Sequence, residues 1–266
     1  EISDFMATQI MPETPIQATM ILFLGIVVIG VRLGLETIAR TAEIFLPWII
    51  MLFFIMVLFL LPDIQIEKIQ PVLEEGIKPV LRASYTFVAI PFMELAAFLM
   101  ILPYVNEKHK LTKNFYFAAW IGGMVTIVTT VLCILVLGAE VTTRSSYASY
   151  VLAKKISIGD FLERLEVIIA IIWLLTIFFK LAICFYGVAL GLAQMLKLKD
   201  YRPLLLPLAM ILVVLSIIIT PNVIHYNFFT ARIWPLQDLA FGCLLPLLLL
   251  SVDVIRKRKK KLMNNK

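Results

Sequence analysis

Apolar residues run along this chain in seven long blocks rather than in the short alternating patches of a soluble fold. The blocks cover Pro15–Val31, Ile44–Leu61, Ala83–Val105, Phe115–Leu137, Val167–Leu190, Pro203–Ile219 and Trp234–Val252. At ~1.5 Å per residue, a helix of about 17–24 residues crosses a hydrocarbon core of roughly 30 Å. Without water at that depth the backbone must satisfy itself, and a helix does so within each block. The predicted fold is all-α: a polytopic transmembrane helical bundle, forming a single transmembrane domain over residues 1–266.

The segments between the blocks carry patterns of their own. RLGLETIARTAE, joining the first two, places Arg32, Glu36, Arg40 and Glu43 in an amphipathic connection. From Asp63 to Arg82, Ile66, Ile69, Leu73, Ile77 and Val80 recur at steps of three and four, which predicts a helix lying on the outer face of the membrane. Ser145 to Lys155 reads as another short helix, and Asp160, just before FLERLEVII, as the N-cap of the fifth span.

Composition agrees with the blocks and narrows the class. Of 266 residues 61% are hydrophobic and only 16% charged, against roughly 45–50% and about 25% in soluble domains. This excludes a soluble enzyme, a nucleic-acid module and a single-span receptor. The net charge of +6 belongs to the RKRKKK run at Arg256–Lys261, since residues 1–255 hold 17 basic and 18 acidic groups. Beside a span, such a run marks a cytoplasmic end. With the tail inside, the inner segments carry fifteen Lys and Arg against eight outside, the bias that sets orientation. The chain opens EISDFMATQ, without an initiator Met or a signal-peptide pattern, so an N-terminal piece is expected to be missing. Cys133, Cys184 and Cys243 fall inside spans as small hydrophobes. His109 and His225 are single and distant, and no phosphate loop, nucleophile–base pair or Cys/His cluster is present. Neither catalysis, a metal nor a cofactor is expected.

Two charges sit at mid-depth, where each costs at least ~2.5–3.5 kcal/mol on insertion scales and so needs a partner or a role. Glu94 lies in the third span and Lys180 in the fifth, at depths that allow them to meet. Glu94 follows Pro91 in YTFVAIPFMEL. Proline lacks an N–H and clashes with the preceding turn, so the helix is expected to kink or break, with Pro91 opening a new half-helix whose N–H groups form a positive end. Transporters bind charged substrates at such breaks, whereas a plain proline kink needs no ligand. The segment Phe87, Val88, Ala89, Ile90, Pro91 and Glu94 is the candidate ligand site. Trp173, Thr176, Lys180, Cys184, Gly187 and Gly191 form a stripe of small and polar residues on the fifth span, which predicts an interior face. Lys180 then either pairs with Glu94 or backbone carbonyls, or acts with Thr176 as a fixed cation for charge balance or coupling. Gly123, Thr126, Thr130 and Cys133 make a similar stripe read as close packing.

Several stretches together resemble the B subunit of bacterial spore-germination nutrient receptors (the GerAB type), a branch of the amino acid/polyamine/organocation transporter superfamily. They are ETPIQ at Glu13, IARTAEIFLP at Ile38, IPFMEL running to LPYVNEKHKL, ISIGDFLERLE at Ile156, FFKLAICFYGVALGLAQ at Phe178 and LKDYRPLLLPL at Leu198, closed by WPLQ and the basic tail. The resemblance implies a five-plus-five inverted-repeat fold of ten helices, of which these seven would be four to ten. Its first and sixth helices unwind around a ligand; Pro91 and Glu94 then fall on the sixth and Lys180 on the eighth. Family members often carry Gly just before this Glu, where Met93 stands here.

The implied role is a nutrient sensor of the spore inner membrane that binds a small germinant, often an amino acid, alongside A and C subunits. A proton-coupled amino acid permease and a non-binding scaffold subunit are the alternatives.

Overall fold

The structure is a computed structural model and describes residues 2–71, 76–105, 108–156, 166–219 and 222–264. It is helical, with no strand among the described residues. The helices are α1 (Ile2–Phe5), α2 (Ile16–Leu33), α3 (Leu35–Leu60), α4 (Ile77–Val88), α5 (Lys108–Leu137), α6 (Ala139–Arg144), α7 (Ala148–Lys154), α8 (Glu166–Met195), α9 (Leu205–Ile219), α10 (Val223–Arg232), α11 (Trp234–Asp238) and α12 (Leu245–Asn264). Among the described residues, seven helical stretches are long and apolar enough to span a membrane: Ile16–Leu33, Leu35–Asp63, Ile77–Met100, His109–Leu137, Glu166–Met195, Arg202–Ile219 and Ile224–Lys257. The all-α polytopic bundle expected from the apolar blocks is the architecture observed.

The chain forms two compact units, one of residues 1–72 and 115–214, the other of 73–114 and 215–266. In the first, α8 packs against both α2 and α3, burying Ala182, Phe185, Tyr186, Ala189 and Ala193 along one stripe. Small alanines there let the helix backbones approach, which is how apolar helices gain contact where lipid offers no hydrophobic contrast. At one end of this unit Phe5, Met56, Leu60, Leu132, Leu152 and Ile169 build a core shared by α1, α3, α5, α7 and α8. Phe5 is fully buried there, its ring 5.0 Å from those of Tyr150 and Trp173.

Gly34 alone separates α2 from α3 and takes φ +106°, a conformation that L side chains rarely adopt. A Cβ built on it would meet nothing within 4 Å, so the need for glycine is conformational and not steric. The polar connection RLGLETIARTAE is accordingly helical on both sides of one joint, and its second half is the first turns of α3, laced by an exposed Arg40–Glu36 pair at 2.8 Å.

Three connections differ from expectation. Of the outer helix predicted from Asp63 to Arg82, the described residues show a 3-10 turn at Ile66–Ile69 and an α-helix from Ile77 that starts the third span, while Leu73 lies outside the described residues. Gln70 is extended and ends the 3-10 turn, and Gly76 takes φ +77° just before the third span, so the two described helical pieces are not one continuous helix. The turn is instead pinned to the end of α5, where the Gln65 N–H donates to the Leu135 carbonyl at 3.1 Å and the Lys68 ammonium to the Val136 carbonyl. His225, read as part of a loop, lies in α10, whose N-cap Asn222 accepts the His225 backbone N–H at 2.7 Å. His109 likewise lies in the first turn of α5. The short helix expected at Ser145–Lys155 is present as α7, and the cap assigned to Asp160 lies outside the described residues.

Candidate ligand-binding site

The third span changes helical gauge twice around Pro91. After α4 comes a π segment, Ala89–Met93, and then a 3-10 segment, Glu94–Met100. Pro91 cannot donate to the Phe87 carbonyl, and its ring would press on that carbonyl in an ordinary turn. Widening to i→i+5 bonding moves the carbonyl away. The expected break is therefore present as a change of gauge: Val88, Ala89, Met93 and Glu94 all keep right-handed helical dihedrals, so no unwound stretch and no separate half-helix terminus forms. A seven-residue 3-10 run is unusual in a helix interior, where such geometry marks hinges and functional positions.

A second π segment, Leu239–Leu244, lies within the last span. Whereas the first contains its proline, this one is followed by Pro246, which has no N–H for the Gly242 carbonyl one turn earlier. The two π segments meet at Gly242: a Cβ there would fall 2.5 Å from the Met93 carbonyl oxygen and 2.8 Å from the Met93 Cβ. Glycine is required because backbone lies against backbone.

Around this crossing the second unit gathers polar groups and aromatic rings. The Trp234 indole N–H donates to Glu94 Oε1 at 3.1 Å, and the Tyr85 hydroxyl donates to the Pro235 carbonyl at 2.9 Å. Pro235 is fully buried and Glu94 half-buried. Phe229 meets the Trp234 ring edge-on at 5.8 Å, and Phe87 and Phe92 lie 6.4 Å apart. Asp238, one turn after Trp234 on α11, is also half-buried. A carboxylate held by an indole N–H among aromatic rings is suited to a cationic or ammonium-bearing group, which it meets with charge while a ring face can add a cation–π contact.

Of the residues singled out in the sequence, Phe87, Ile90, Pro91 and Glu94 are half-buried in this segment, Ala89 is fully buried and Val88 is exposed. Lys180 and Thr176 belong to the other unit. Both are exposed on α8, on the side turned away from the Ala182–Ala193 stripe that packs against α2 and α3, while Trp173, Cys184, Gly187 and Gly191 of the same expected face are half-buried and Trp173 packs on Phe5. The Thr176 hydroxyl bonds back to the Ile172 carbonyl at 2.8 Å. In α5, Gly123 and Cys133 are buried as close packing requires, while Thr130 is exposed and bonds back to Thr126 at 2.8 Å. No group of three or more His, Cys, Asp or Glu able to hold a metal occurs among the described residues.

Trp234, Gly242, Tyr85 and Asp238 escaped the sequence reading. WPLQ stood out only as a closing motif, and the AFGC run around Gly242 was the available sign of a close helix crossing.

Comparison with known proteins places this chain in a family. The spore germination protein family matches residues 1–224. The chain is 29% identical to spore germination protein KB of Bacillus subtilis (strain 168) over 253 residues, covering 94% of this chain and 68% of that protein. It is 31% identical to spore germination protein YndE of the same organism over 280 aligned positions, covering 98% and 70%, and 24% identical to spore germination protein XB of Bacillus anthracis, covering 94% and 70%. No solved structure matches. An integral membrane bundle of seven apolar helices that aligns over most of its length with these proteins has one assignment: the chain belongs to the spore germination protein family.

Proposed function

We propose that this chain is the germinant-sensing membrane subunit of a spore germination receptor, and that it binds a small nutrient with an ammonium group, in the first place an amino acid, at the π-helical crossing. The observation that carries the reading is Glu94 held by Trp234 at the point where Met93 touches Gly242. The ligand would lie against the backbone of Phe87, Val88, Ala89, Ile90 and Pro91, with Glu94 meeting the ammonium. Lys180, with Thr176 one turn before it, is assigned charge balance in the bound state. The family match supports a germination role. The five-plus-five fold, the A and C partner subunits, a spore inner-membrane location and a cytoplasmic tail are part of the same proposal and rest on the resemblance of the motifs and on the excess of inner Lys and Arg.

The test compares Glu94→Gln, Lys180→Met and Trp234→Phe by spore germination in response to a panel of amino acids, and by amino acid-dependent thermal stabilisation of the purified protein. Glu94→Gln is expected to abolish the response, since a neutral amide cannot replace a carboxylate facing an ammonium, and Trp234→Phe to weaken it about tenfold or more by removing a bond to a charged group of about 1.5–3 kcal/mol. Normal response in Glu94→Gln and Lys180→Met at normal protein levels overturns the assigned roles. A carboxylate at this depth also suits proton-coupled uptake, and concentrative flux of labelled amino acid in proteoliposomes would establish a permease instead. Absence of binding to the isolated subunit would leave a scaffold.

A further inference from the structure

A cleft of about 390 Å³ opens in the first unit between the last turns of α2 and the start of α9, lined by Val28, Arg32, Asp200, Arg202, Leu205 and Leu206. Its volume falls within the roughly 300–1,000 Å³ of small-ligand sites. The two arginines stand at the ends of membrane spans. α2 has 18 residues, about 27 Å at ~1.5 Å per residue, so Arg32 in its last turn lies where hydrocarbon gives way to headgroups. Arg202 heads the 3-10 turn that leads into α9.

The cleft is built around fixed backbone. The Arg202 Nε donates to the Arg32 carbonyl at 3.0 Å and the Tyr201 hydroxyl to the Val31 carbonyl at 3.0 Å, so the loop closes the C-terminal end of α2. Burial raises the Tyr201 phenol above its usual value and keeps it a neutral donor. Asp200 turns one oxygen to the Arg202 backbone N–H at 3.1 Å, capping the turn. Arg202 also hydrogen-bonds the Tyr201 side chain, and both Arg202 and Arg32 line the cleft. The neighbouring loop carries Lys197 and Lys199, so the sequence around the cleft holds four basic groups and one carboxylate, Asp200. Lys197 holds φ +56° at the end of α8, a position where glycine is the usual residue, so the loop keeps a cation at some conformational cost. Below the arginines the walls are apolar: Val28 and Leu205 are buried and Leu206 is 61% exposed.

We propose that this cleft binds the phosphate of an anionic phospholipid headgroup between Arg32 and Arg202, with an acyl chain running along Val28 and Leu206. Guanidinium groups match phosphate with paired N–H donors, and basic pockets between spans at the headgroup level take acidic lipids. The site is separate from the Glu94 crossing and does not rest on the germinant reading.

The experiment uses the full chain with Arg256 to Lys261 replaced by glutamine, so that the tail does not contribute. Thermal midpoint and lipid retention in native mass spectra are read in detergent with dioleoyl phosphatidylglycerol, dioleoyl phosphatidylcholine or inorganic phosphate. Phosphatidylglycerol should raise the midpoint and remain bound, while phosphatidylcholine and inorganic phosphate do neither. Arg32→Gln, whose backbone carbonyl still receives Arg202, should lose about fivefold in phosphatidylglycerol affinity without changing the lipid-free midpoint, at about 1 kcal/mol for each basic residue near the lipid. Arg202→Lys, which keeps the charge, should lose less than Arg202→Gln. An unchanged phosphatidylglycerol response in Arg32→Gln overturns the proposal, as does an equal loss of midpoint in both lipids. Stabilisation by inorganic phosphate alone with the same Arg32 dependence replaces the lipid by a free phosphate.

Discussion

At Gly242 the constraint is a distance. Replacing it with alanine puts a Cβ 2.5 Å from the Met93 carbonyl oxygen, well inside contact, and the atom it meets is backbone, so two helices must separate. Gly242→Ala is expected to destabilise the second unit by about 1–3 kcal/mol, the range for overpacking a tight site, read as a lower thermal midpoint in detergent. Gly122→Ala is the control, because a Cβ there meets nothing within 4 Å. No change at Gly242 would mean that the crossing is looser than its geometry. Glu94 and Pro91 were legible in the sequence because each breaks a rule of lipid-buried helices on its own. Gly242 and Trp234 break none, and their meaning comes from partners some 140 residues away that no local pattern joins to them.

Among elements, length and apolarity were enough to find every span, since the membrane imposes a fixed thickness. Gauge was not legible. Proline announced a disturbance in the third span, yet whether the chain unwinds or widens depends on what packs against it, and here another π segment does. Pro91→Ala restores the missing N–H and is expected to convert Ala89–Met93 to α-geometry. Hydrogen exchange of the 89–100 amides should then slow severalfold, as strained helical bonds open more readily than regular ones. Unchanged exchange would show that Gly242, and not proline, imposes the π turn. The 63–82 segment shows the converse: periodicity at steps of three and four runs through a stretch that Gln70, extended, and Gly76, at φ +77°, divide into separate helical pieces.

For the whole molecule, the sequence supplied the class, the span count and the family, because these depend on bulk apolarity and on motifs spread over most of the chain. The division into two units was not legible, since each is assembled from two separated stretches of chain. Orientation follows from charge bias and is testable directly. On a background without Cys133, Cys184 and Cys243, Ser146→Cys is expected to react with a membrane-impermeant maleimide added to intact cells, and Asn264→Cys only after permeabilisation. The reverse pattern would invert the topology and move the Arg32–Arg202 cleft to the opposite leaflet.

The one-residue joint at Gly34 bears on how the protein is made and moved. With a single peptide unit between an 18-residue helix and a 26-residue one, the pair has no slack, so the two spans enter the bilayer as one hairpin. For the same reason a spacer inserted at Gly34 is expected to loosen the coupling between the ends of α2 and α3.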